Sequence, residues 1–205
     1  RSADEPCPHR PAPRRAHALG VSGKVLVDSD QVRRTVARIA HEIVERHHDP
    51  SRLALVGIHT RGVPLARRLA AHIAEFAGAE PALGSVDIAL YRDDVGVGGR
   101  RAALPVVGDT VLDFDVSERS VVLVDDVLYT GRTIRAAIDA VFDYGRPPLV
   151  QLAVLVDRGH RELPIRPDYV GRNLPTSRSE RVTVHLAEID GVDEVVLESD
   201  GEGLA

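Results

Sequence analysis

The chain has no methionine and no tryptophan, a single cysteine and a single lysine, and only 3% of its 205 residues are aromatic. Each shortage removes a class of explanation. With Cys7 alone no internal disulfide can form, which fits a reducing compartment. With three phenylalanines and four tyrosines, the interior must be filled by Val, Ile, Leu and Ala, and no aromatic platform for stacking nucleic-acid bases is to be expected. No run approaches the roughly 18 apolar residues of a membrane-spanning helix and no secretory leader is recognisable, so the expectation is a cytoplasmic protein with no membrane partner. What is present is a 43% apolar content, ample for one globular core.

Charge is unevenly spread. The formal net charge is −5, but residues 186–205 hold seven acids (Glu188, Asp190, Asp193, Glu194, Glu198, Asp200 and Glu202) and no base, which leaves +2 for the rest. Every base except Lys24 is arginine, a bias that a GC-rich genome would produce, although arginine's planar fork also suits phosphate. Residues 1–20 contain four prolines and four arginines without apolar periodicity, and are expected to be a disordered tail. Residues 21–205 are expected to form a single domain.

Apolar patterning predicts an α/β order. Asp28-Ser29-Asp30 offers an N-cap for a helix with Val32, Val36, Ile39, Ala40, Ile43 and Val44 on one face and Arg33, Arg34, Arg38, His41 and Arg46 on the other. Residues 53–58 read as a buried strand, followed by a helix with Pro64 in its first turn that runs to about Ala77. Further strands are expected over 86–91, 120–125, 149–156, 182–186 and 194–197. Helices between successive strands imply an open, mostly parallel twisted sheet with flanking helices, in which ligands sit beyond the carboxyl ends of the strands. The loops at 59–62, 92–110, 125–133 and 157–176 should therefore converge.

The most informative stretch is Val121-Val-Leu-Val-Asp-Asp-Val-Leu-Tyr-Thr-Gly-Arg-Thr133. An apolar strand ends in two carboxylates and a small polar turn, and the amphipathic run Ile134, Ala137, Ile138, Val141 follows. Asp125 and Asp126 can accept hydrogen bonds from the vicinal hydroxyls of a ribose. The turn through Val127, Leu128, Tyr129, Thr130, Gly131, Arg132 and Thr133 can wrap a 5′-phosphate with backbone N–H groups and two hydroxyls at a helix start. A bare Asp-Asp pair could equally mark a Mg²⁺ site or a turn; the flanking residues single out the phosphorylated sugar. At His59-Thr60-Arg61-Gly62 the free amides and the arginine could hold pyrophosphate. Gly96, Gly98 and Gly99 do not lead from a strand into a helix, so they are not a dinucleotide fingerprint, and no Walker lysine pattern occurs.

The 121–133 stretch resembles the phosphoribosyl-pyrophosphate (PRPP) motif of type I phosphoribosyltransferases. Together with Leu55-Val-Gly-Ile-His-Thr-Arg-Gly62, Leu90-Tyr-Arg-Asp-Asp94 and the block from Asp157-Arg-Gly-His-Arg-Glu-Leu-Pro to Thr176, it resembles the PyrR family, pyrimidine-operon attenuators that are also uracil phosphoribosyltransferases. The likeness runs from about residue 25 to about residue 196. It implies the type I phosphoribosyltransferase fold with a small hood over the site, and the conversion of uracil and PRPP to UMP and pyrophosphate. Mg²⁺ would arrive with PRPP and touch Asp125 or Asp126 through water. A non-proline cis peptide is plausible at Thr60–Arg61.

The resemblance further implies that residues 92–111 form a lid in which Arg101, in preference to Arg100, neutralises the leaving group. Asp126 would be the candidate general base beside Asp125. Val156, Asp157, Arg158 and, more weakly, Val182 would meet the uracil. Arg38, His41 and Arg46 on the first helix, with Arg161, Arg166, Arg172 and Thr176, would face pyrimidine-operon mRNA when UMP or UTP is bound, with no role for DNA. The implied assembly is a homodimer or a dimer of dimers. Two alternatives stay open: an RNA-binding regulator that keeps the pocket only as a nucleotide sensor, and a transferase acting on purine bases.

Overall fold

The computed structural model describes residues 23–89, 91 and 110–199. The expected tail at 1–20 and most of the expected lid, Arg101 included, lie outside the described residues.

A five-stranded, all-parallel sheet forms the centre. Its strands are β2 (Leu53–Ile58), β3 (Ala82–Val86), β4 (Ser120–Leu128), β5 (Val150–Asp157) and β6 (Tyr169–Asn173), in the order β3-β2-β4-β5-β6. Helices α1 (Ser29–Arg46) and α2 (Gly62–Ala77) cover one face, and α3 (Arg132–Phe142) covers the other. Alternation along β2 separates the two cores: Leu53 and Leu55 pack with Val36, Ile43 and Leu69, whereas Ala54, Val56 and Ile58 pack with Ile134, Ala137 and Val141. Val, Ile, Leu and Ala fill both, and Tyr169 is the one aromatic among the buried described residues.

The first helix starts as its sequence requires. The Asp28 carboxylate accepts the Gln31 N–H (2.8 Å) and the Gln31 side chain accepts the Asp28 N–H (3.1 Å), a reciprocal cap that satisfies two donors left open by helix geometry. A separate antiparallel sheet, ordered β1-β8-β7, is built from β1 (Lys24–Val27), β7 (Glu180–His185) and β8 (Glu194–Ser199), with the short helix α4 (Ala187–Asp190) between the last two. Val27, Val184, Leu186 and Val195 carry this sheet into the core that α1 and α2 share.

Three expectations shift. The third strand is residues 82–86, not 86–91. It pairs with β2 from Ala54–Ala82 to Ile58–Val86, and beyond it the Asp87 carboxylate accepts the Ala89 N–H (2.8 Å) and turns the chain. Strand β4 does not stop at Asp125 but pairs on through Val127–Val156 and Leu128–Asp157, so the two acids lie within the strand. Strand β6 lies inside a segment expected to be loop, and it pairs with β5 from Ala153–Tyr169 to Asp157–Asn173.

Energetic consequences differ in size. Replacing Ile43, fully buried between α1 and the sheet, by alanine is expected to cost about 2–5 kcal/mol in urea unfolding, against about 1 kcal/mol for Asp28→Ala, which removes only the cap. Equal costs would mean that α1 is not held by its apolar face.

Candidate active site

Strand order reverses between β2 and β4: the chain passes from β2 to one edge through β3, and from β4 to the other through β5. A crevice opens at such a point, and here it is flanked by the two segments singled out in the sequence. After β2, residues 59–61 lead directly into α2. The peptide bond between His59 and Thr60 is cis, one residue earlier than the expected Thr60–Arg61 position. Thr60 is exposed, Arg61 is half-buried at the helix start, and no side chain caps α2. Gly62 is pressed against β4: a Cβ there would lie 2.2 Å from the Val124 carbonyl oxygen. Only glycine lets this loop meet the strand that carries the acids.

Asp125 is buried at 7% exposure, and its Oδ1 accepts the Asp126 N–H at 2.9 Å. Burial first, and the neighbouring Asp126 charge second, push its carboxyl well above the usual carboxylate range. Asp126 is half-buried, and its Oδ1 accepts the Val127 N–H at 2.9 Å. Leu128 is buried, while Val127, Tyr129, Thr130 and Thr133 keep partial access to solvent. Gly131 takes a left-handed φ of 93° at the N-cap of α3 and provides no side-chain cap, so of the helix's opening amides only that of Arg132 meets a neighbouring hydroxyl among the described residues. Thr130 Oγ1 accepts the Arg132 N–H at 3.3 Å, and the Arg132 Nε donates to Glu162 at 2.8 Å.

The segment after β5 folds over this turn. Thr130 O accepts N–H groups from Glu162 (3.0 Å) and Leu163 (3.1 Å). Arg161 is turned inward: it donates to the carbonyls of Tyr129 (2.9 Å), Gly159 (3.3 Å) and Ile165 (3.0 Å) and to the Asp157 carboxylate (2.5 Å). Arg158, also 7% exposed, donates to the carbonyls of Glu180 (2.7 Å) and Ser177 (3.3 Å) and to Thr176 Oγ1 (3.3 Å), with its guanidinium carbon 4.0 Å from the centre of the Tyr129 ring. Val156 and Val182 are buried. Of the base-side candidates, Val156 and Asp157 pair with Val127 and Leu128 and Arg158 lies over Tyr129, so all three border the turn at 127–133, while Val182 is buried on β7.

Four of the RNA candidates, Arg38, His41, Arg46 and Arg172, fall on α1 and β6, which pack together, while Arg161, Arg166 and Thr176 lie in the segments flanking β6. Arg38 Nη2 donates to Val170 O (2.9 Å) and Gly171 O (2.7 Å) of β6, and Arg46 pairs with Asp168 at 3.3 Å, which brings α1 beside the exposed Arg172. Arg166 is exposed just upstream. His41 stacks on the exposed Phe76 of α2, with ring centroids 3.9 Å apart at 8°. This flat pair was not foreseen, because its members lie 35 positions apart on different helices.

Equally unforeseen is the work of the acidic end. The Asp190 carboxylate accepts from both the Nε (3.3 Å) and the Nη2 (2.9 and 3.2 Å) of Arg61, and from the Leu186 N–H (2.9 Å). Arg68 of α2 donates to Glu188 (2.8 and 2.5 Å) and to Asp193 (2.9 and 2.7 Å). Burial raises the Asp190 and Asp193 carboxyls, but hydrogen bonds from arginine and backbone, with arginine charge, outweigh it and hold both below their ordinary range. The acids of residues 186–193 are therefore paired with the arginines of the loop after β2 and of α2. Among the described residues no cluster of three His, Cys, Asp or Glu side chains could hold a metal, and no helix is long and apolar enough to cross a membrane.

Residues 23–188 match the phosphoribosyl transferase domain. The chain is similar to the bifunctional protein PyrR of Deinococcus deserti, 59% identical over 84% of this chain and 92% of that one, and to that of Thermus thermophilus, 59% identical over 84% and 93%. In fold it is similar to a hypoxanthine-guanine phosphoribosyltransferase of Bacillus anthracis, with a TM-score of 0.64 at 17% identity over 88% of this chain and 99% of that one. The family match over most of the chain and the high identity to these relatives show that the chain belongs to the phosphoribosyl transferase domain family and, within it, to the PyrR proteins.

Proposed function

We propose that this protein transfers the phosphoribosyl group of PRPP to uracil, forming UMP and pyrophosphate, and that with a uridine nucleotide bound it also binds pyrimidine-operon mRNA and regulates those genes. The observation that carries the enzyme is the contact of Gly62 with the Val124 carbonyl, because it sets a candidate pyrophosphate loop beside Asp125, Asp126 and the open turn at Gly131. In the transfer, uracil nitrogen attacks the ribose C1 as the C1–O bond to pyrophosphate breaks. Positive charge develops on the sugar and negative charge on the leaving group, so placement and electrostatics supply most of the acceleration.

Residues divide this work. Thr60, Arg61 and Gly62 hold the pyrophosphate, and the amides and hydroxyls of residues 127–133 hold the 5′-phosphate. Asp125, buried and with its carboxyl pushed well above the usual carboxylate range, serves the ribose hydroxyls as a fixed hydrogen-bond partner. Asp126, the more accessible carboxylate, takes the proton from the base. An accessible carboxylate suits a hard cation, and Mg²⁺ would be held chiefly by PRPP oxygens with Asp126 reaching it through water, where the ion would offset pyrophosphate charge. Backbone of residues 156–158 reads the uracil edge, with Val182 behind it.

For RNA, the packed pair α1 and β6 supplies Arg38, His41, Arg46 and Arg172, with Arg166 alongside, as phosphate anchors, and Phe76 extends the His41 ring. Arg161 and Thr176 keep the hood in shape beneath this face. A cytoplasmic location and a homodimer or dimer of dimers go with this function.

The deciding experiment is a panel of free bases with PRPP and Mg²⁺. UMP should form from uracil, with no product from hypoxanthine; nucleotide-dependent RNA shifts without any UMP formation would leave a regulator only. Two strand variants divide the acids. Asp126→Asn should lower kcat/KM by about 10²–10⁴-fold, and an unchanged value would remove it as the base.

Asp125→Asn should reduce turnover yet raise the melting temperature. The folded carboxyl of Asp125 sits above its unfolded value, so the stability it contributes is full below the unfolded range and is lost as pH rises toward the folded value. The gain from asparagine should therefore be larger at pH 8 than at pH 5, and a gain that shrinks with pH would contradict the burial account.

A further inference from the structure

We infer that Asp190, a residue of the small antiparallel sheet's connection and distant in sequence from every PRPP motif, is a positioning residue for pyrophosphate through its grip on Arg61, given that residues 59–62 are the pyrophosphate loop. The geometry is a fork held from one side. Asp190 takes the Nε and Nη2 edge of the Arg61 guanidinium, at 3.3 Å and at 2.9 and 3.2 Å, and Nη1 has no hydrogen-bond partner among the described residues. One edge is fixed and another is left for a ligand.

The holder is itself rigid. Asp190 Oδ2 accepts the Leu186 N–H at 2.9 Å, which closes the turn of α4, and Gly191 ends that helix with a left-handed φ of 79°. The whole connection is bolted to α2 by Arg68, whose guanidinium is shared between Glu188 and Asp193, while Asp193 also accepts the Ala187 N–H at 2.8 Å. The Asp190 carboxylate thus has a defined place before any substrate arrives. A free arginine side chain would lose much of its rotamer freedom on meeting pyrophosphate; one already clamped does not.

Asp190 adds a negative charge near the place where a polyanion is to bind, so its benefit cannot be attraction. The benefit is orientation: the pair fixes the Nε and Nη2 edge of Arg61 on the small sheet's connection and leaves Nη1, at the uncapped start of α2, for the anion. Glu188 and Asp193 do different work, since they touch Arg68 and never Arg61.

The test is steady-state kinetics on the full chain with uracil, PRPP and Mg²⁺, with a melting temperature for each variant. Asp190→Asn should raise KM for PRPP about tenfold, leave KM for uracil within about twofold and kcat little changed, and Asp190→Glu should recover part of the loss. Arg61→Gln should raise KM for PRPP, and the double variant Arg61→Gln/Asp190→Asn should be no worse than Arg61→Gln alone. Asp193→Asn, which loosens the same connection without touching Arg61, should lower the melting temperature and leave KM for PRPP unchanged. A tighter or unchanged PRPP KM in Asp190→Asn, with Arg61→Gln impaired, overturns the role of Asp190. An equal rise in Asp193→Asn overturns it too, because general docking would then suffice. If Arg61→Gln itself leaves KM for PRPP unchanged, the assignment of residues 59–62 to pyrophosphate fails instead.

Discussion

The rest of the site depends on the contact between Gly62 and the carbonyl oxygen of Val124, where a side chain of any size would collide. It joins two backbones at the point where the strand order reverses. Because β2 and β4 are neighbours in register, Gly57 opposite Val124, the loop after one strand lies against the acids of the other. A pyrophosphate group and a ribose are joined in PRPP by one bond, and a site for them needs its two halves at matching distance. In the proposed site, sheet pairing and one glycine would set that spacing.

Asp125 shows the cost of such a site. A buried carboxyl, pushed up by burial and by its neighbour, opposes folding wherever the unfolded chain would ionise it. The fold carries it because two cores on either face of the sheet are closely filled by aliphatic side chains. Arg161 and Arg158 then use their donors on backbone carbonyls to roof the turn, so that the hood is shaped by internal hydrogen bonds rather than by apolar burial alone.

Legibility in the sequence followed burial. Strand β2 lies at 53–58 as expected, because all six residues are buried and form an unbroken apolar run. The strands that were displaced or missed, β3 and β6 in the parallel sheet and β1 in the antiparallel one, are all edges of their sheets. An edge strand pairs on one side only and needs fewer apolar residues: Ala82-Leu-Gly-Ser-Val86 exposes Leu83 at 43%, and Tyr169-Val-Gly-Arg-Asn173 ends in polar residues. The motif at 121–133 was legible because the chemistry is local. The Arg61–Asp190 and Arg68–Glu188 pairs were not, since they join residues 129 and 120 positions apart. The count of acids near the end carried the signal, but a count has no direction.

One measurement bears on all of this most directly: a crystal structure of the protein with UMP bound. The phosphate should sit on the amides of residues 129–133, the ribose hydroxyls should reach Asp125 and Asp126, and the uracil should lie under the segment 156–158. A nucleotide found away from the β4 acids, with the turn at Gly131 empty, would contradict the account.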